Sequence, residues 1–102
     1  MSDQTIHLII KGHVQGVAYR NWMCNQAGEL GISGWVRNLE NGDVEALACG
    51  DEDSLKQLVQ ACHDGSPAAR PIDVKTKSIE NGPGISGFEQ KPTIPPAESE
   101  YI

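Results

Sequence analysis

The sequence predicts an α+β domain, with two helices on one face of an antiparallel sheet. Three observations carry that expectation. Strand-like apolar stretches are interleaved with two stretches of helical periodicity, and their order along the chain is β-α-β-β-α-β. An Asn-Gly pair sits where two consecutive strands must reverse direction. The chain has 102 residues, which suits one domain with a modest core and leaves no room for a separate substrate domain.

Thr5 to Lys11 reads T-I-H-L-I-I-K, with Ile6, Leu8 and Ile10 on one face and His7 on the other, and is a strand. A loop from Gly12 to Tyr19 follows. Arg20 to Leu30 is then a helix with Trp22, Met23, Ala27 and Leu30 near one side, and Gly31 is its C-terminal stop. Ser33–Leu39 and Asp43–Cys49 form a hairpin through Glu40-Asn41-Gly42, in which both Asn41 and Gly42 tolerate positive φ. Gly50 ends the second strand, and Asp51 or Asp53 caps a helix whose Leu55, Leu58, Val59 and Cys62 follow the i, i+3, i+4, i+7 pattern. Gly65-Ser66-Pro67 ends that helix. Ile72, Val74 and Thr76 alternate with Asp73, Lys75 and Lys77, a strand with one wet face. Asn81 to Gly87 is a turn-rich link, and Gly87–Lys91 is long enough for a short edge strand. Residues 92–102 hold three prolines and two glutamates with little to bury, so a disordered tail is expected after a domain spanning 1–91. The resulting architecture is the ferredoxin-like sandwich, which hosts enzymes, RNA binders and metabolite sensors alike.

Charge narrows the partners. Eight Lys and Arg stand against fourteen Asp and Glu, a formal net charge of -6. Such a surface repels nucleic acid, and neither a basic run nor a pair of stacking aromatics offsets it. Residues 1–11 are too short and too interrupted by polar residues for a signal peptide or a membrane span. Cys24, Cys49 and Cys62 share no metal-like spacing, and their odd number suggests reduced thiols in the cytoplasm.

The segment with chemical content is Gly12-His13-Val14-Gln15-Gly16-Val17-Ala18-Tyr19-Arg20, between a strand and a helix. Glycines let the backbone turn sharply, successive amides converge on an anion, and the helix adds its positive end. Arg20 can lay a guanidinium fork on the same oxygens. Taken alone, the loop reads more readily as a plain β-to-α connection, because short glycine motifs recur by chance. A second segment, Gly31-Ile32-Ser33-Gly34-Trp35-Val36-Arg37-Asn38, changes the balance.

Together, V-Q-G-V-A-Y-R and G-x-x-G-W-V-R-N at this separation resemble the acylphosphatase family, over roughly residues 5–91. The likeness extends to A-C-G-D at Ala48–Asp51 and G-S-P-A-A-R at Gly65–Arg70. It implies a hydrolase that cleaves the carboxyl–phosphate bond of a small acyl phosphate with no metal, no cofactor and no covalent intermediate. The family's catalytic arginine falls on Arg20 and its catalytic asparagine on Asn38, which would orient the attacking water. The amides of Gln15, Gly16, Val17, Ala18, Tyr19 and Arg20 would hold the phosphoryl oxygens. A neutral amide suits the water role, since it donates and accepts without repelling phosphate. Acyl phosphates carry a good leaving group, so charge stabilisation and an in-line water suffice. The chain departs from many relatives at Ala18, Tyr19 and Leu39. The default assembly is a monomer, without membrane or nucleic-acid partners. The rival reading is a non-catalytic module on the same fold that binds phosphate or carbamoyl phosphate; a water-positioning Asn38 argues against it.

Other signals carry less. Gly82-Pro83-Gly84-Ile85-Ser86-Gly87 formally matches G-x-G-x-x-G, but too little chain follows for a helix and a second strand, and it is read as a loop. His7, His13 and His63 lack ligand-like partners, and Trp22 and Trp35 read as packing residues. Arg37 reads as a solvated strand charge, and Lys11 as a candidate contributor to the local field of the loop.

Overall fold

The computed structural model describes residues 3–80, 82, 84 and 86–102. The elements follow as β1 (Gln4–His13), α1 (Tyr19–Leu30), β2 (Ser33–Asn38), β3 (Val44–Gly50), α2 (Glu52–Asp64), β4 (Arg70–Ile79) and β5 (Phe88–Gln90). The sheet order is β4-β1-β3-β2-β5. The pairs β1–β3, β1–β4 and β2–β3 are antiparallel, as the sequence predicts. The short edge strand departs from that pattern: β5 runs parallel to β2, with Gln90 opposite Val36, and makes the sheet mixed. The expected turn-rich link at 81–87 and the loop reading of G-P-G-I-S-G rest in part on residues 81, 83 and 85, which lie outside the described residues.

Alternation divides each strand between two faces. Leu8 and Ile10 of β1, Val36 of β2, Val44, Ala46 and Ala48 of β3, and Val74 of β4 meet Tyr19, Met23 and Ala27 of α1 and Leu55, Leu58 and Cys62 of α2 in one core. Ile72 is an exception to the expected apolar face of β4, being 83% exposed. The register of β1 against β4 shifts between Lys11 and Gly12, and this irregularity takes the start of β4 off the regular alternation. Gly12 and Gly34 mark places where strands run too close for a side chain. A Cβ on Gly34, whose φ is +145°, would meet Leu47 O at 1.9 Å, and one on Gly12 would meet Arg70 O at 2.4 Å.

Local signals account for the helix ends. Gly31 ends α1 in the left-handed conformation (φ 70°), its N–H returning to the last turn. Of the two candidate caps for α2, Asp51 is the one used, accepting from Ser54 N–H at 2.8 Å. The β2–β3 turn is a correction of detail: only Gly42 takes positive φ, at 99°, while Asn41 instead accepts Asp43 N–H on its side-chain oxygen.

The end of the chain departs most from expectation. Residues 92–102 do not form a disordered tail in this structure but lie against the sheet face that the helices leave open. Ile94 bridges Leu39, a 3-10 turn spans Pro96–Glu98, and Ser99 is buried. The physical reason is the content of that face. Glu45 is fully buried there, paired with Arg37 at 2.7 Å and His7 at 2.7 Å, and Ser99 Oγ donates to the same carboxylate. Tyr101 stacks on His7 with ring centroids 5.2 Å apart and tilts against Trp35. A charged residue on a half-covered sheet needs partners and shelter, and this tail provides both. Arg37 is correspondingly no solvated charge: its guanidinium lies 4.4 Å from the centroid of the Trp35 ring, and its Nε donates to Glu45 Oε1.

Candidate active site

The loop begins after His13, the last residue of β1, and enters α1 through Ala18. Gly16 (φ 73°) and Ala18 (φ 60°) are both left-handed, and Ala18 is the one non-glycine residue with positive φ among the described residues. Left-handed residues separated by one that is not are the backbone pattern from which anion-binding nests are built. The N–H groups of Gln15, Gly16, Val17 and Ala18 donate to no other described residue, and α1 leaves the amides of its first turn free. The first intrahelical bond is from Trp22 N–H to Ala18 O, at 3.0 Å. No acidic residue occupies that first turn, so the positive end of α1 is unopposed.

Ala18 bears strain that glycine would not, because a Cβ crowds the left-handed conformation. Ala18→Gly is therefore expected to raise the unfolding free energy by about 0.5–1 kcal/mol after allowing for the more flexible unfolded chain. Urea denaturation of the two proteins measures it.

Tyr19 anchors the loop's far end. It is buried against Trp22, and its hydroxyl donates to Cys62 O of α2 at 2.9 Å. Burial pushes its phenol pKa far above the ordinary value and lifts the Cys62 thiol to about 12. Neither group ionises near neutrality. The hydroxyl that distinguishes Tyr19 from a phenylalanine is thus a structural tie between α1 and α2.

A cavity of about 190 Å³ opens at this point, lined by Gly16, Ala18, Tyr19 and Arg20 from the loop and helix start and by Asn38 from the end of β2. Arg20 forms no ion pair with a carboxylate among the described residues. Asn38 Oδ1 is buried without a hydrogen-bond partner among the described residues, a condition that costs about 1–3 kcal/mol when nothing fills the gap. Two residues sequence reasoning missed also line the cavity, Asn21 on the first turn of α1 and Gln90 on β5. No motif marks Gln90; it arrives through the parallel pairing of β5 with Val36, the neighbour but one of Asn38. Val17 and Gln15, named with the loop amides, do not line this cavity: Val17 packs toward the core, and the Gln15 side chain turns to the β2–β3 turn.

Other candidates fall elsewhere. Lys11, weighed as a contributor to the loop's field, pairs with Asp43 at 2.8 Å. His7 belongs to the Glu45 cluster, and His63 sits in the last turn of α2. Among the described residues no three His, Cys, Asp or Glu side chains gather as a metal-ligand set. A larger groove of about 410 Å³ runs between α2 and the β1–β4 side, but its cation Lys56 faces Glu52 at 3.6 Å. The smaller cavity is the one that brings Arg20, the start of α1 and Asn38 together. No helix among the described residues is long and apolar enough to cross a membrane.

Comparison with known proteins gives a consistent result. Residues 6–90 match the family model described as Acylphosphatase. The chain is 47% identical over 87 residues to an acylphosphatase of Rhizorhabdus wittichii, covering 83% of this chain and 85% of that protein. It superposes on the structure of an acylphosphatase from Coxiella burnetii with a TM-score of 0.84 and 37% identity, over 88% of this chain and 94% of that one. The acylphosphatase from Bacillus subtilis gives a TM-score of 0.83 at 32% identity, over 86% of this chain and 98% of that one.

Proposed function

We infer the activity from kinship: this chain belongs to the acylphosphatase family, and it hydrolyses the carboxyl–phosphate bond of acyl phosphates to a carboxylate and inorganic phosphate. The observation that carries the mechanism is the partnerless Asn38 Oδ1, on a residue that shares a cavity with Arg20 and the free loop amides. The phosphoryl group sits on the amides of residues 15–20 with the Arg20 guanidinium on its oxygens. Asn38 Oδ1 accepts a hydrogen bond from a water and holds it for in-line attack on phosphorus. The water oxygen bonds to phosphorus as the bridging P–O bond breaks, and that electron pair leaves with the carboxylate. The water's proton passes to a phosphoryl oxygen, since no carboxylate or imidazole of the described residues lines the cavity.

The same reading makes the enzyme a metal-independent monomer of the cytoplasm. The free thiols of Cys24, Cys49 and Cys62 fit a reducing compartment. The loop-centred cavity contacts the phosphoryl end, so varied small acyl groups are accepted.

Benzoyl phosphate hydrolysis in excess EDTA is the test. Wild type is expected to turn over undiminished by the chelator. Asn38→Ala is expected to lower kcat by about 10²-fold while the inhibition constant of inorganic phosphate holds, because the change misplaces the water and spares the anion cradle. A folded wild type that binds phosphate without turnover would instead establish a phosphate-binding module.

A further inference from the structure

Gln15 belongs to the loop between β1 and α1, where its N–H donates to no other described residue, and its side chain has separate work. Nε2 donates to Leu39 O at 2.7 Å and to Asp43 O at 2.8 Å, so both amide protons are used. Each of these carbonyls already accepts one turn hydrogen bond, from Gly42 N–H at 3.1 Å and from Leu39 N–H at 2.8 Å. Gln15 therefore fills the second lone pair of both carbonyls that close the β2–β3 turn. Lys11 binds the same turn through the Asp43 carboxylate, and Glu40 N–H on its other side donates to Ile94 O at 3.0 Å.

The turn matters because Asn38 is the residue before Leu39 and pairs with Val44, the residue after Asp43. With Asn38 Oδ1 unpartnered, the backbone of this turn sets where the carboxamide stands. A glutamine amide meets two carbonyls with two donors and no charge; a carboxylate of the same length would repel both. We propose that Gln15 is a positioning residue: by pinning the β2–β3 turn to the anion loop, its side chain sets the distance between the amides that hold the phosphoryl group and the Asn38 carboxamide that holds the water. The inference rests on the water-positioning reading of Asn38 above.

The test separates the two. Gln15→Met keeps the length and bulk of the side chain and removes both donors. Its kcat on benzoyl phosphate is expected to fall about 10- to 100-fold, as for an ångström-scale misplacement, with the inhibition constant of inorganic phosphate within about twofold of wild type. In an Asn38→Ala background the same substitution is expected to add no further loss, because the group it positions is gone. An unchanged kcat in Gln15→Met overturns the proposal. So does a phosphate constant that weakens in step with kcat, which would make Gln15 part of the cradle itself, or would mark a variant too disrupted to bind. Additive losses in the double variant overturn it as well. If Asn38→Ala alone keeps the wild-type rate, the water reading falls and takes this inference with it; a slow Asn38→Ala beside a fast Gln15→Met removes only the Gln15 role.

Discussion

Arg20→Ala is expected to lower kcat/KM for benzoyl phosphate by about 10³-fold or more and to abolish inhibition by millimolar phosphate. The size of the effect follows from the charge of the molecule. The chain carries a formal charge of -6, so an anion approaches against the global field and depends on local positive groups. Lys11 pairs with Asp43 and Arg37 with Glu45, which leaves Arg20 and the amino end of α1 as the positive groups at the cavity. Loop amides alone offer partial charges. The guanidinium adds a full charge and a two-pronged donor matched to phosphoryl oxygens, and that match tightens as charge builds on them in the transition state. Arg20→Lys is expected to recover part of the phosphate binding but little of kcat, because an ammonium replaces the charge without the fork. Steady-state kinetics of the three proteins, each checked for folding by circular dichroism, measures this. An Arg20→Ala enzyme that loses only KM would make the arginine a uniform binder.

Glu45→Ala is expected to cost about 3–5 kcal/mol of stability, the range for breaking a buried ionic cluster from one side. Glu45 is fully buried and joins three donors: Arg37 and His7 from neighbouring strands and Ser99 from the end of the chain. Its removal leaves His7 buried and Arg37 partly buried without their acceptor and unties the tail. The pH dependence has a definite sign. Burial by itself would raise the Glu45 pKa, but hydrogen bonds from His7, Ser99 and Arg37, with the Arg37 charge, outweigh it and hold the carboxyl below its ordinary value. The native state therefore binds fewer protons than the unfolded one. This contribution is complete above the ordinary glutamate range, begins to fade below about pH 4.3, and is lost as pH falls through the lowered folded value. Urea denaturation of wild type and Glu45→Gln between neutral pH and pH 3 checks it: the gap between the two proteins should narrow as the solution becomes acid. A constant gap would mean that the cluster depends on shape rather than charge.

What the chain determines locally, the sequence displays openly. Ile6, Leu8 and Ile10 on one face mark β1, Asn41-Gly42 marks the β2–β3 turn, the i, i+3, i+4, i+7 spacing marks α2, and Asp51 and Gly31 mark helix ends; each signal is local to a short stretch of chain. The loop from Gly12 to Arg20 is legible for the same reason, since its glycines, its amides and the helix start are consecutive. Arg20 and Asn38 stand out through the family resemblance that two segments carry together, and the fold brings both to one cavity because β2 ends beside the start of α1.

The remainder was decided by tertiary structure. No local pattern tells β5 to run parallel to β2 and deliver Gln90 to the cavity. Gln15 meets Leu39 across 24 positions and Ser99 meets Glu45 across 54, so neither partnership leaves a trace in a window of sequence. The fates of Arg37 and of the tail follow from the same cause. A strand's period tells which residues share a face, but what covers that face depends on every other segment of the chain. Helices cover one side of this sheet, and the other side, with a glutamate at its centre, is closed by Ser99 and Tyr101 from a stretch whose composition alone suggested disorder. Burying a carboxylate is favourable only when its donors arrive together, and only the folded topology assembles them.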